Sequence, residues 1–299
     1  MVDVASLRRK RVGDAAGYTF GLLDDMAKRE IRRALLKAVA LPGYQVGFGS
    51  REMPIARGWG TGGLQITLSI IGKADVLKVI DQGDDASVNA VNLRRLIEMV
   101  TGVTTTLETG EATIIQTRLR IPEQVMTAAQ VLVLQVPIPE PLRMVEPSLA
   151  VARIMHAERD YSRMWLSLYE DIVRRGEISH GAGYPVVVNG HYIMSPSPIP
   201  RWDIPKLSFA PTLFLFGAGR EKRIYAVPPF TRVEPLEFDD VKFEVEDFSG
   251  RKCAISGATD AFMDEIPQAQ GDPVWVVNDS NYRDVVAQGR QVDTAWPGS

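Results

Sequence analysis

One cysteine and three histidines are all that the 299 residues offer as soft metal ligands. A lone thiol, Cys253, excludes an intrachain disulfide. It equally excludes a Cys-rich metal site built from this chain alone. His156, His180 and His191 show no ligand spacing among themselves, so solvated or structural roles are expected for each. Strong charge of either sign is also missing. The net charge is −3, so no global basic field recruits nucleic acid or an anionic membrane. No apolar run approaches the ~20 residues that a membrane helix needs. The opening MVDVASLRRKRVGDAAG carries basic residues without an apolar stretch behind them, which reads as a solvated leader, not a signal peptide. The expected compartment is the cytoplasm. G-x-S-x-G, Walker A and H-E-x-x-H are all absent.

What is present is an ordinary globular composition, 45% hydrophobic and 24% charged. Leu22, Met26, Ile31, Leu35 and Val39 recur at helical spacing from Tyr18 to Ala40, and Pro42-Gly43 stops that helix. A glycine-rich stretch follows, then LQITLSII, which reads as a strand. SVNAVNLRRLIEMVTG reads as a helix ending near Gly102. ATIIQTRLRI and QVLVLQVPI read as strands, and MHAERDYSRMWLSLYEDIVRRG as a helix. YPVVV and HYIM flank Asn189-Gly190, a hairpin signal. The Pro-rich SPSPIPRWDIPK is expected to be neither helix nor central strand. TLFLF and RIYAV are strands joined by GAGREK, and VKFEVEDF and PVWVV are strands of a smaller, more polar segment. The expected fold is α+β (mixed α/β): a mixed sheet with packed helices and a small C-terminal β appendage. The expected organisation is a leader over 1–16, a core over 17–240, the appendage over 241–290 and a disordered tail over 291–299.

Gly58, Gly60 and Gly63 satisfy G-x-G-x-x-G, but the fingerprint needs a strand before it and a helix after it. The strand-like LQITLSII behind it argues against a dinucleotide site and for a loop in which backbone turns or approaches something closely. An anion nest stays open. Arg220, Lys222 and Arg223 place three cations on one turn, which suits a phosphate or carboxylate, although composition alone favours a solvated turn.

Several long strings resemble the PhnJ family, the proposed catalytic subunits of bacterial carbon–phosphorus lyase. They are IRRALLKAVALPGYQV (Ile31–Val46), SREMPIARGWGTGG (Ser50–Gly63), DVLKVIDQG (Asp75–Gly83), QVPIPEPLR (Gln135–Arg143), SPSPIP (Ser195–Pro200) and FGAGREKRIYAVPPFTRVE (Phe216–Glu234). The resemblance implies cleavage of the C–P bond of α-D-ribose 1-methylphosphonate 5-phosphate to methane and a ribose cyclic phosphate. It implies S-adenosylmethionine and a [4Fe–4S] cluster as cofactors, and PhnI, PhnG, PhnH and a PhnK-type ATPase as partners. By the same resemblance Gly43 occupies the glycyl-radical position. Arg118, Arg120, Arg220, Lys222 and Arg223 become candidates for holding the phosphorylated ribose.

The family's cluster cysteines are a C-x-x-C pair and a third farther along, with a fourth cysteine for the thiyl radical. Here these positions carry Cys253, Ser256, Val277 and Arg283. Serine is a poor, hard donor, valine has no donor atom and arginine is a permanent cation. One thiolate cannot hold a cubane, and the same donors cannot hold a structural zinc. Leu119 likewise replaces a family histidine. The resemblance therefore leaves three readings open: a subunit of the lyase machinery, whether or not it turns over, a non-catalytic scaffold or regulator that occupies the PhnJ place or pairs with a complete PhnJ, or an unrelated enzyme that reuses a basic pocket for sugar phosphates.

Overall fold

The computed structural model describes residues 61–118, 120–136, 186–188, 191–192, 201–218, 223–235 and 247–298, together with positions 29, 33, 46–47, 148 and 150–151. The helices expected over 18–40 and 155–176 lie outside the described residues, apart from Arg29 and Arg33, which are helical.

The chain begins its main sheet with β1 (Val46–Gly47). Helix α1 (Thr61–Ile70) follows, where a strand over Leu64–Ile71 was expected. The cause of the difference is burial. Leu64 to Thr67 are all buried, polar Gln65 and Thr67 included, so α1 shows no solvent face and its run of apolar residues carries no helical period. One ground for setting aside the dinucleotide fingerprint therefore falls, because a helix does follow and holds Gly63. Residues 48–60, where the preceding strand would stand, lie outside the described residues.

β2 (Val76–Asp81) leads into α2 (Val88–Thr101), which is capped as its sequence indicates. Ser87 Oγ accepts from the Ala90 amide, and Gly102, at φ 69°, donates to the Glu98 carbonyl. β3 (Thr104–Thr105), β4 (Ile114–Arg118) and β5 (Val131–Val136) continue the sheet. β6 (Val186–Val188) and β7 (His191–Tyr192) pair around Asn189-Gly190, with Val188 opposite His191. The Pro-rich linker is partly helical, contrary to expectation: a 3-10 turn at Arg201–Asp203 runs into α3 (Ile204–Leu207). Pro205 stands in the first turn of α3, where its missing N–H leaves no hydrogen bond unmade. β8 (Leu213–Ala218), β9 (Arg223–Val227) and β10 (Val233–Pro235) follow. The appendage is a β11 (Met263–Ile266) and β12 (Val274–Val277) pair followed by α4 (Ser280–Ala287).

The large sheet has the order β1-β9-β8-β5-β4-β2-β3. β8, β5, β4, β2 and β3 are parallel, while β9 runs antiparallel to β8 and β1 antiparallel to β9. This is a mixed sheet with helices, in the α+β class. One face packs Leu77, Val79, Val133 and Leu215 against α1 and α2. The other packs Ile80, Ile115, Leu134 and Phe216 against α3 and the chain's last residues. The expected disordered tail is docked: Trp296 is 3% exposed and lies 6.3 Å from the ring of Phe214. A short polar sequence hid one large anchor. Among the described residues no helix is long and apolar enough to cross a membrane.

Candidate functional site at the C-terminal edge of the sheet

Parallel strands bring their C-terminal ends to one edge, the place where open α/β sheets usually hold ligands. The register sets Asp81, Arg118, Gln135 and Gly217 in one row across β2, β4, β5 and β8. Within that row Arg118 Nε lies 2.5 Å from Asp81 Oδ1 and Arg118 Nη2 lies 2.9 Å from Oδ2. Asn89, near the start of α2, donates to the same carboxylate at 2.9 Å. Arg118 is thus oriented by Asp81 at the rim. The basic turn leaves from the same edge, since β8 ends at Ala218 and pairs there with Arg223 at the start of β9. Arg220 and Lys222, between them, lie outside the described residues, as do Gly43, His156 and His180. His191 begins β7, in the separate three-stranded sheet.

The appendage sits on this edge. Gln82 and Gly83 turn the loop after β2 through φ 55° and 93°. A Cβ on Gly83 would stand 1.6 Å from Asn278 Oδ1, so only glycine allows Asn278 to seat there. Ser280 Oγ lies 2.5 Å from Asp84 Oδ1 and 2.6 Å from Asp85 Oδ1. Asp85 also pairs with the fully buried Lys78 at 3.3 Å. The Glu123 amide donates to Asp279 Oδ2 at 2.9 Å.

Arg120 points away from solvent, into a buried ionic cluster. Its Nε lies 3.1 Å from Asp203 Oδ2 and its Nη2 lies 3.7 Å from Glu123 Oε1. Lys206 Nζ is 2.9 Å from Glu123 Oε2 and 3.1 Å from Asp203 Oδ1. Two cations thus meet two carboxylates, all four side chains buried. Phe262 of the appendage lies 3.4 Å beneath the Arg120 guanidinium, and its amide donates to Glu123. Burial pushes the Glu123 carboxyl above the ordinary carboxylate range, against the opposing pull of Lys206 and Arg120. The cluster locks the β4–β5 connection, the 3-10 turn with α3, and the appendage together.

The three cluster-ligand positions implied by the resemblance do converge. The amides of Ser256 and Val277 both donate to Cys253 Sγ, each at 3.4 Å. Gly257, at φ 77°, closes the turn by donating to the Cys253 carbonyl at 2.9 Å. Burial raises the Cys253 thiol, but the Ser256 hydroxyl and the amides of Ser256, Val277 and Ile255 outweigh it and hold the thiol below its ordinary value. The side chain at 277 is a fully buried isopropyl group packed with Phe248, Ala261 and Tyr282. Arg283, on α4, pairs with its neighbour Asp284 at 3.3 Å. Among the described residues no group of three or more His, Cys, Asp or Glu could hold a metal ion. This donor set does not fit a [4Fe–4S] cluster: thiolates hold cluster iron, and only one sulfur is here.

Sequence reasoning missed Asp81, Asn89, Glu123, Asp203, Lys206 and Ser280. A signal existed for Asp81, which sits in DVLKVIDQG just before the glycine that the close approach requires.

A family profile described as "Phosphonate metabolism protein PhnJ" matches residues 16–288. The chain is 56% identical over 272 residues to an Escherichia coli (strain K12) protein named alpha-D-ribose 1-methylphosphonate 5-phosphate C-P lyase, covering 91% of this chain and 96% of that one. It is 53% identical over 272 residues to a Rhizobium meliloti (strain 1021) protein named in the same terms, covering 91% of each. On the strength of that match, the chain belongs to the PhnJ family of phosphonate metabolism proteins.

Proposed function

We propose that this chain is a PhnJ-type component of the carbon–phosphorus lyase machinery of phosphonate breakdown, and that it fills the place of the lyase subunit without holding the iron–sulfur cluster. The single observation that carries the second half is Val277. Its amide is aimed at the Cys253 sulfur, which supports reading 277 as the ligand position the resemblance implies, yet the side chain is a buried hydrocarbon. Radical cleavage with S-adenosylmethionine is the reaction implied by the resemblance, and no step of it is assigned to these residues. PhnI, PhnG, PhnH and a PhnK-type ATPase are the partners the reading implies.

Anaerobic reconstitution of the chain co-purified with PhnI tests both halves at once. The expected result is a stable pair with no cluster absorbance and no reductive cleavage of S-adenosylmethionine. A stoichiometric cubane would sink the non-catalytic half, and failure to co-purify would count against membership of the complex.

Binding of a phosphorylated ribose at the sheet edge is supported by Arg118 in its Asp81 clamp and by a basic turn leaving the same edge. Charge-assisted hydrogen bonds contribute roughly 1.5–3 kcal/mol each. Arg220→Ala is therefore expected to weaken ribose 5-phosphate binding about tenfold or more, since ~1.4 kcal/mol is one decade. Calorimetry on the complex reads this directly. Unchanged affinity with lost assembly would assign the turn to a partner interface instead.

A further inference from the structure

We propose that the end of the chain, Val292 to Gly298, fastens the C-terminal appendage to the sheet core, and that the appendage needs no metal or cluster to hold its place. The family match ends at residue 288, so this stretch lies beyond the part of the chain shared with the family profile. It nevertheless bridges two separate hydrophobic clusters within five residues. Val292 packs in the cluster of the appendage, with Phe248, Met263 and Tyr282. Trp296 packs in the cluster under the main sheet, with Ile121, Met126 and Phe214.

Polar contacts alternate between the same two bodies. The Val125 amide, from the β4–β5 connection, donates to the Asp293 carbonyl at 2.8 Å. Thr294 Oγ1 donates to Asp260 Oδ2 of the appendage at 2.9 Å. The Trp296 indole N–H donates to the Glu123 carbonyl at 3.1 Å. A Cβ on Gly298 would stand 2.1 Å from the Pro205 carbonyl oxygen, so the stretch ends pressed against α3. A solvated tail makes none of these contacts. A fastening that must be buried at both ends makes all of them.

The donor chemistry supplies the second half. A cluster would tie positions 253, 256 and 277 through iron, whereas here one sulfur and two backbone amides meet instead. What closes the appendage on itself is apolar packing, including Phe248 against Phe262 and Trp275 at ring distances of 5.2 and 6.0 Å, while Trp202 of the 3-10 turn packs on Phe248 and Phe262 from the core side at 5.1 and 6.4 Å.

Amide exchange on the full-length protein, read by mass spectrometry, tests the proposal. In Trp296→Ala, peptides covering 253–266 and 274–287 should exchange at least about tenfold faster, while β4 and β5 keep their protection. Gly298→Val leaves the indole intact but pushes the stretch off α3, and should loosen the same peptides. It decides the matter if Trp296→Ala does not fold. Adding 1,10-phenanthroline to the wild type should change nothing. Three results would overturn the proposal: unchanged exchange of the appendage in both variants, loosening that spreads equally to β4 and β5, or a chelator effect as large as that of the substitutions.

Discussion

Placing cysteine at positions 256 and 277, beside native Cys253, should give a chain that takes up about four irons after anaerobic reconstitution, where the unaltered chain is expected to take up none. The expectation rests on the backbone. Both amides already reach the Cys253 sulfur, at 3.4 Å each, so the three positions are gathered around one point. Ser256→Cys exchanges oxygen for sulfur at nearly constant shape. Val277→Cys removes a little buried volume and leaves a small cavity, at a cost of about 1 kcal/mol. Adding Arg283→Cys removes a permanent cation from α4 and restores the fourth family cysteine. Iron and sulfide analysis with absorbance spectroscopy gives the answer. A double variant that folds yet stays iron-free would mean that the backbone, and not merely the donor atoms, has departed from what a cluster needs.

Asp203→Ala is expected to lower stability by about 3–5 kcal/mol, because it strands Arg120 and Lys206 in a buried site with one carboxylate between them. Asp203 also accepts from the Ile121 amide at 2.8 Å, so that buried donor would lose its partner too. For a chain of this size the melting temperature should fall by roughly 6–15 °C. Glu108→Ala is the control. It breaks a pair with Arg290 of similar length, 3.2 Å, but both side chains are at least one-third exposed, so the loss should stay under about 1 kcal/mol. Equal effects of the two substitutions would show that the Asp203 cluster is not held by charge pairing. The raised Glu123 carboxyl gives the cluster a pH dependence of known sign. A folded-state value above the unfolded one means that the native chain holds its proton to higher pH. That contribution to stability is present in acid and lost as pH rises through the folded value.

Local patterns carried much of this fold. β4, β5, β8 and β9 stand where their apolar runs lie, α2 starts and stops at Ser87 and Gly102, and β6 and β7 pair with Val188 opposite His191. Signals of that kind need only neighbouring residues. α1 was misread because a helix buried on every side has no polar face to set a period. The ionic cluster was invisible for a different reason. Arg120 and Glu123 are three apart, as are Asp203 and Lys206, and each pair alone looks like a solvated surface pair. Their meaning comes from contact across 83 positions. The resemblance implied positions 253, 256 and 277 as cluster ligands, and in the structure the amides of the last two meet the Cys253 sulfur. Trp296 was overlooked because one aromatic in a short polar stretch has no pattern to belong to.

The seat of the appendage also sets an order of events during synthesis. Asp85 waits for Ser280 across 195 positions, and the Glu123 amide waits for Asp279 across 156. Strands β2, β4 and β5 leave the ribosome long before either partner exists. For that interval the two aspartates, Lys78 and the glycine-turned loop face solvent or a chaperone, and the sheet's upper rim stays open. Closing it is a late step with a large loop to gather, so it should be slow relative to helix and hairpin formation. A nascent chain stalled before Asn278 would present an open-rimmed intermediate, with its β2 loop still free to move and its principal strands already paired.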